Sequence, residues 1–318
     1  MTTPHVPTHR GTPALSAVVA ALTLGATGCH RSPAVTPDAP SVKTIANVGF
    51  DEPENLVYDS AADVFLVSNI VGQPAARDDN GFVSRVSSDG RVLALRWIAG
   101  GVNGATLDAP KGLAIHGDTL AVADVGAVHF FDRRTGAPLG SVAIPGLVMN
   151  DLAFAPDGAL WVTDTGPDRG STPPDTSKDM DAVWRVPLRG SGAGRPHSAA
   201  RGLALGRPDG LVLDGSGVLI TTFGAHRIER VGAGTPGSWN TAASLPAGRD
   251  DGLRRLPDGS LVVTSWDART VWRLRLGSKP VPILAEVTSP AGVAVDARRD
   301  QLAVTSMQGN AMYLVPLR

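Results

Sequence analysis

The chain has 318 residues, of which 42% are hydrophobic, 19% charged and 5% aromatic. Its 29 Lys and Arg balance 30 Asp and Glu to a net charge of −1, which leaves no basic stripe for nucleic acid. The hydrophobic content is too high for general disorder, and the single Cys excludes a disulfide framework or a Cys-based zinc site.

The N-terminus reads as an export signal. Residues 1–13 are mostly polar, with Arg10 as the clear positive charge, and residues 14–26 form an apolar run too short to span a bilayer. Small residues follow up to Cys29, and the run Leu24-Gly25-Ala26-Thr27-Gly28-Cys29 resembles a bacterial lipobox. Two readings stand side by side: a lipoprotein whose mature chain begins at an acylated Cys29, or an ordinarily cleaved signal in which Cys29 is incidental. Acyl burial at ~0.8 kcal/mol per CH₂ makes the first an anchor only, so membrane contact is expected through Cys29 alone. The division expected is a signal segment over 1–28, a Pro-rich tether over 29–42 and one β domain over 43–318. An exported protein of the cell envelope or extracellular space, monomeric, is the corresponding expectation.

From residue 43 onward one pattern recurs six times. An apolar strand, a turn, a second strand ending in a small or polar residue, and in most copies an alternating third strand follow one another. First strands are expected at 55–59, 112–116, 151–155, 210–214, 252–256 and 292–296. Second strands are expected at 66–69, 121–124, 161–164, 220–223, 262–265 and 303–306. Asp157-Gly158 and Asp258-Gly259 mark turns between them. Repeats near 40 residues built from short strands predict an all-β, six-bladed β-propeller. The last copy ends at its third strand, 311–315, so the β-prone segment 42–48 is expected to pair into the last blade and close the ring.

In a propeller the first strand of each blade is innermost, so the residue just before it faces the central channel. That column reads Glu54, Lys111, Asn150, Asp209, Asp251 and Ala291. Three carboxylates and an amide on one narrow axis repel one another unless a cation joins them. Ca²⁺ takes six to eight oxygens at ~2.3–2.6 Å without rigid geometry, and the lack of clustered Cys or His argues against zinc or copper. Asp and Asn before Gly are also ordinary turn residues; Glu54 is not. The expected metal ligands are Glu54, Asn150, Asp209 and Asp251, with Ca²⁺ or another divalent cation bound.

The array resembles the six-bladed gluconolactonase/regucalcin-like propellers over about residues 43–318. In that family a Glu opens the first blade, an Asn-Asp pair the third, an Asn-Gly the fourth and an Asp-Gly the fifth. Here the matching residues are Glu54 in Pro53-Glu54-Asn55, Asn150-Asp151, Asp209-Gly210 and Asp251-Gly252. The resemblance implies a catalytic divalent metal on these side chains. There are three departures: Asp209 stands where the family usually has Asn, Val148 where the sugar-lactone enzymes carry a substrate-binding Arg two residues before Asn150, and the first blade reads Pro53-Glu54-Asn55-Leu56-Val57-Tyr58 in place of Glu-Gly-Pro-x-Trp, which marks a divergent branch.

The function implied is a Ca²⁺-dependent lactone or ester hydrolase, with Asp251 also accepting a proton and Asn150 orienting substrate. Lys111 and His226 are the candidate substrate-binding residues; Lys111 serves equally to neutralise charge by pairing with Asp209 or Asp251. The partner is a small-molecule substrate or, on the alternative reading of a non-catalytic envelope module with a structural metal, an envelope component. Thr221, Thr222, Thr264 and Ser265 carry no nucleophile signature, since no Gly-x-Ser-x-Gly elbow accompanies a His. Two long loops, 69–81 and 164–181, lie on the metal-bearing face, the second as a lid, a recognition surface or a plain insertion.

Overall fold

The computed structural model describes residues 41–317 except 168–180, 191–192, 233 and 235–236. The signal segment, Cys29, most of the tether and the greater part of the 164–181 loop therefore lie outside the described residues.

Twenty-two strands follow one another, with a single 3-10 turn, Leu203–Leu205, among the described residues. After β1 (Lys43–Ala46), the first repeat comprises β2 (Pro53–Asp59), β3 (Val64–Asn69), β4 (Phe82–Ser87) and β5 (Val92–Ala99). The second and third comprise β6 (Leu113–His116), β7 (Thr119–Asp132), β8 (Pro138–Phe154), β9 (Ala159–Asp164), β10 (Ala182–Pro187) and β11 (His197–Arg201). The fourth is β12 (Pro208–Asp214), β13 (Gly217–Thr222), β14 (Arg227–Val231) and β15 (Trp239–Ser244). The fifth is β16 (Asp250–Arg255), β17 (Leu261–Ser265), β18 (Thr270–Leu274) and β19 (Val281–Leu284). The last is β20 (Pro290–Asp296), β21 (Gln301–Ser306) and β22 (Ala311–Pro316).

The expected closure is present. β1 pairs antiparallel with β22 from Lys43↔Leu314 to Ala46↔Ala311 and completes the sheet β1-β22-β21-β20. Both chain ends of the domain thus gain a partner, which removes two open sheet edges.

The hydrogen-bonded sheets number five where six separate blades were expected: four of four strands and one of six. The difference lies in two long strands. β7 pairs with β6 through Thr119–Val122 and with β8 through Ala127–Phe131, with Gly126 at φ 70° between the two segments. β8 supplies an outer strand at 138–143 and then, without an intervening loop, an inner strand that pairs with β9 from Met149 to Phe154. The second and third repeats therefore merge into one sheet. The inner strands still make a ring of six: β2, β6, the end of β8, β12, β16 and β20 each pack on the next, and β20 returns to β2.

Strands near the axis are covered on both sides, which is why they read as nearly continuous apolar runs. All residues of β3, β9, β13 and β17 are buried. The core lies between neighbouring sheets: Leu56, Phe65 and Val67 pack against Ala303, Met312 and Leu314, and Leu219 and Ile228 against Leu261 and Val263. Each fully buried Leu, Val or Phe contributes about 1.5–3 kcal/mol.

Candidate metal centre

Five of the ring residues, all but Lys111, sit in irregular strand, not in turns. Register shifts occur between Pro53 and Leu56, Met149 and Leu152, Pro208 and Leu211, Asp250 and Leu253, and Pro290 and Val293. Each interval holds a ring residue and the one after it. A bulge at this place turns the side chain toward the axis, a common device beside active sites.

The following glycines have a packing reason. A Cβ on Gly210 would lie 2.4 Å from the Asp251 carbonyl, on Gly252 2.4 Å from the Ala291 carbonyl, and on Gly292 2.5 Å from the Asn55 Cα. Adjacent inner strands approach too closely for any larger residue. The second-strand hydroxyls complete this frame. Thr305 Oγ1 donates to the Glu54 carbonyl at 2.7 Å, and Thr163, Thr221 and Thr264 donate to the carbonyls of Asp209, Asp251 and Ala291. These threonines, Thr221 and Thr264 of the nucleophile-free set among them, thus tie the backbones of four ring residues to the preceding repeat.

The structure brings Glu54, Asn150, Asp209 and Asp251 together. All four are buried, and the carboxylates of Glu54, Asp209 and Asp251 each offer an oxygen within 4.8 Å of the others. Two oxygens on one Ca²⁺ lie at most about 4.6–5.2 Å apart, twice the metal–oxygen distance, so the spacing suits a shared ion. Asn150 Nδ2 donates to Thr165 Oγ1 and to Asp209 Oδ2, each at 2.9 Å, which leaves Asn150 Oδ1 without a partner. Glu54 Oε2 is likewise unpartnered. Two orphaned buried oxygens beside two carboxylates form an all-oxygen donor set that fits a hard divalent cation.

The electrostatics agree with that fit. Burial, and then the charge of Asp251, pushes the Glu54 and Asp209 carboxyls well above the usual carboxylate range. Burial pushes Asp251 up to about 7, although Trp266 Nε1 donates to its Oδ2 at 2.9 Å. Next in sequence, Asp250 is buried with neither carboxylate oxygen hydrogen-bonded, and burial pushes it up to about 8; Ser265, its register partner, donates to the Gly248 carbonyl.

Lys111 enters the same site but pairs with neither Asp209 nor Asp251. Its ammonium donates to the carbonyls of Pro74 and Ala109, both at 2.7 Å, and so anchors the 69–81 loop over the ring. Burial lowers its pKa, while Asp124, Glu54 and Asp209 act in the opposite sense. His226 is not brought in. It is exposed, in a left-handed conformation at φ 55°, and its ring lies over Gly248 outside the cavity lining. Strand topology placed its loop on the correct face, but the backbone turn sends the imidazole away from the axis.

Beneath the ring lies a group that sequence inspection passed over. Arg254, on inner strand β16, donates to Asp151 Oδ2 at 2.7 Å and to Asn55 Oδ1 at 3.3 Å, and Asn55 Nδ2 donates to Asp151 Oδ1 at 3.3 Å. This network spans the channel and places a positive charge under three carboxylates. An Arg pair after Leu253 in a first strand, where the other repeats carry apolar residues, Arg254-Arg255, was the available signal.

Above the ring opens a cavity of about 530 Å³. Among its lining residues are Ile70, Val148, Phe223, Trp266 and Met307, with Arg207 and Arg249.

No family model matches the chain, and no curated protein matches it in sequence. Solved structures do. A gluconolactonase from Xanthomonas campestris matches with a TM-score of 0.66 at 20% identity, over 87% of this chain and 89% of that one. A structural-genomics target described as a candidate gluconolactonase gives 0.64 at 18% identity, over 88% and 93%. The fold is gluconolactonase-like. A streptogramin B lyase also matches, with a TM-score of 0.59 at 11% identity over 87% and 98%, so the same propeller serves more than one chemistry. Activity of this gluconolactonase-like propeller has to be argued from its own residues.

Proposed function

We propose that the protein is a divalent-metal-dependent hydrolase of lactones or esters, with Ca²⁺ as the preferred ion, acting at the channel mouth. The observation that carries this reading is the convergence of Glu54, Asn150, Asp209 and Asp251, from four repeats, with two buried oxygens left unpartnered at a cavity floor. A cation bound by these four side chains supplies Lewis-acid polarisation of a carbonyl and a more acidic bound water. The chain's own residues do the rest. Asn150 is held by Thr165 and Asp209 with its Oδ1 directed away from both, which fixes the amide for ligation and substrate orientation. Trp266 fixes one oxygen of Asp251, and the carboxylate takes up the proton released on water attack. Lys111 and Arg254 offset the charge of the cluster from above and below. Export and an anchor at Cys29 belong to the same proposal and rest on the N-terminal sequence.

A second reading, a non-catalytic envelope module with a structural cation, is favoured by Val148 in the cavity wall, where sugar-lactone enzymes carry Arg. The two separate on a panel of lactones and aryl esters assayed with Ca²⁺ and with chelator. Turnover that chelation and Glu54→Ala both abolish is the expected result. Turnover that survives both, or a melting temperature raised by Ca²⁺ with no substrate turned over, overturns the hydrolase.

A further inference from the structure

Resting on the hydrolase reading, we propose that the substrate is a lactone whose body beside the reacting carbonyl is flat and apolar, an aryl lactone, and that Phe223 and Trp266 select it.

The wall above the metal ring carries apolar groups from several repeats. Ile70, Met307 and Trp266 on it belong to one cluster, with buried Ala109, Val125 and Ala291 behind them. Val148 lies on the lining as well. Phe223 and Trp266 meet edge to face, with centroids 5.3 Å apart and planes at 80°. Both rings are held: Arg207 stacks on Phe223 at 5.1 Å, Arg249 stacks on Trp266 at 5.5 Å, and the indole N–H is tied to Asp251. A rigid aromatic corner attached to a metal ligand suits a planar substrate placed against it.

Several polar groups on the wall are already engaged. Glu52 Oε2 accepts from the Gly72 N–H at 2.7 Å, Thr165 Oγ1 donates to the Pro208 carbonyl at 2.8 Å, and Gln308 Oε1 accepts from Ser289 Oγ at 2.9 Å. A polyhydroxylated lactone would have to compete with these bonds for partners to its hydroxyls, which opposes binding. A cavity of about 530 Å³ holds a fused bicyclic lactone.

The test measures kcat/KM of the Ca²⁺-loaded protein for dihydrocoumarin and for glucono-δ-lactone by proton release. The expected preference for the aryl lactone is at least about 10-fold, the scale on which pocket chemistry discriminates. Phe223→Ala raises KM for dihydrocoumarin several-fold with a smaller change in kcat, and Phe223→Tyr restores it; Ca²⁺-dependent melting verifies that both variants fold. Equal or better hydrolysis of glucono-δ-lactone, or a KM insensitive to Phe223→Ala, overturns this inference and leaves the hydrolase standing. Hydrolysis of no lactone at all overturns the hydrolase reading and this inference with it.

Discussion

Replacing Asp251 by Asn in the metal-free protein removes one of three carboxylates whose oxygens lie within 4.8 Å of one another in a buried site. Two unit charges at that distance repel by about 3 kcal/mol at an effective dielectric of about 20. Burial, the largest cause of the Asp251 shift, gives a similar figure by linkage. Asp251 moves from 3.8 to about 7, and roughly 1.4 kcal/mol per pKa unit amounts to about 4 kcal/mol once the group is ionised. The folded-state value lies above the unfolded one, so the contribution to stability is complete below about pH 4 and is lost as pH rises through 7. Asn keeps an oxygen for the Trp266 N–H and carries no charge. At about pH 8 in chelator, Asp251→Asn should therefore melt higher than the parent by roughly 6–15 °C, and at about pH 4 the two should coincide. Added Ca²⁺ should close most of the gap: the parent gains about 2.7 kcal/mol when the ion stands at 100 times its dissociation constant, and the variant gains little. Differential scanning calorimetry at both pH values, with chelator and with Ca²⁺, makes the comparison. A variant no more stable than the parent at about pH 8, or equally stabilised by Ca²⁺, refutes the claim that these carboxylates face one another.

Other consequences concern the frame. Gly252→Ala drives a methyl against the Ala291 carbonyl at 2.4 Å and should cost at least about 2 kcal/mol in urea unfolding, whereas Gly232→Ala, with open space around it, should stay within about 1 kcal/mol of the parent. Arg254→Met leaves the Asp151 carboxylate, 1% exposed, without its cation and should cost about 2–4 kcal/mol; adding Asp151→Asn should return part of that loss in a double-mutant cycle. A full additive loss in the double variant contradicts the pairing.

The convergence of Glu54, Asn150, Asp209 and Asp251 was legible because a propeller brings the same position of every repeat to one axis, so a column through the repeats is a list of neighbours. The closing strand was legible for a similar reason: a repeat short of one strand and a spare β segment at the other end have one economical solution. What a column cannot show is direction or reach. Asp209-Gly210 and Asp251-Gly252 look like turn dipeptides, yet they lie in bulged strands where glycine admits the next strand's carbonyl. His226 occupies the expected loop, but a left-handed backbone turns its ring away from the axis. Lys111 reaches loop carbonyls in place of the carboxylates beside it, because the 69–81 loop folds over the ring. Arg254 and Trp266 gain their roles only from partners in distant repeats or across a β hairpin, and periodicity carries no information about such pairs. The sheet count differed because β7 and β8 pass through two positions each without a break that composition marks.

Crystals of the protein grown with calcium test the metal centre most directly. The account places one ion on the axis, at about 2.3–2.6 Å from oxygens of Glu54, Asn150, Asp209 and Asp251, with Asn150 Oδ1 and Glu54 Oε2 among the ligands. An axis without an ion at saturating calcium, or the Lys111 ammonium seated among the carboxylates, would contradict it.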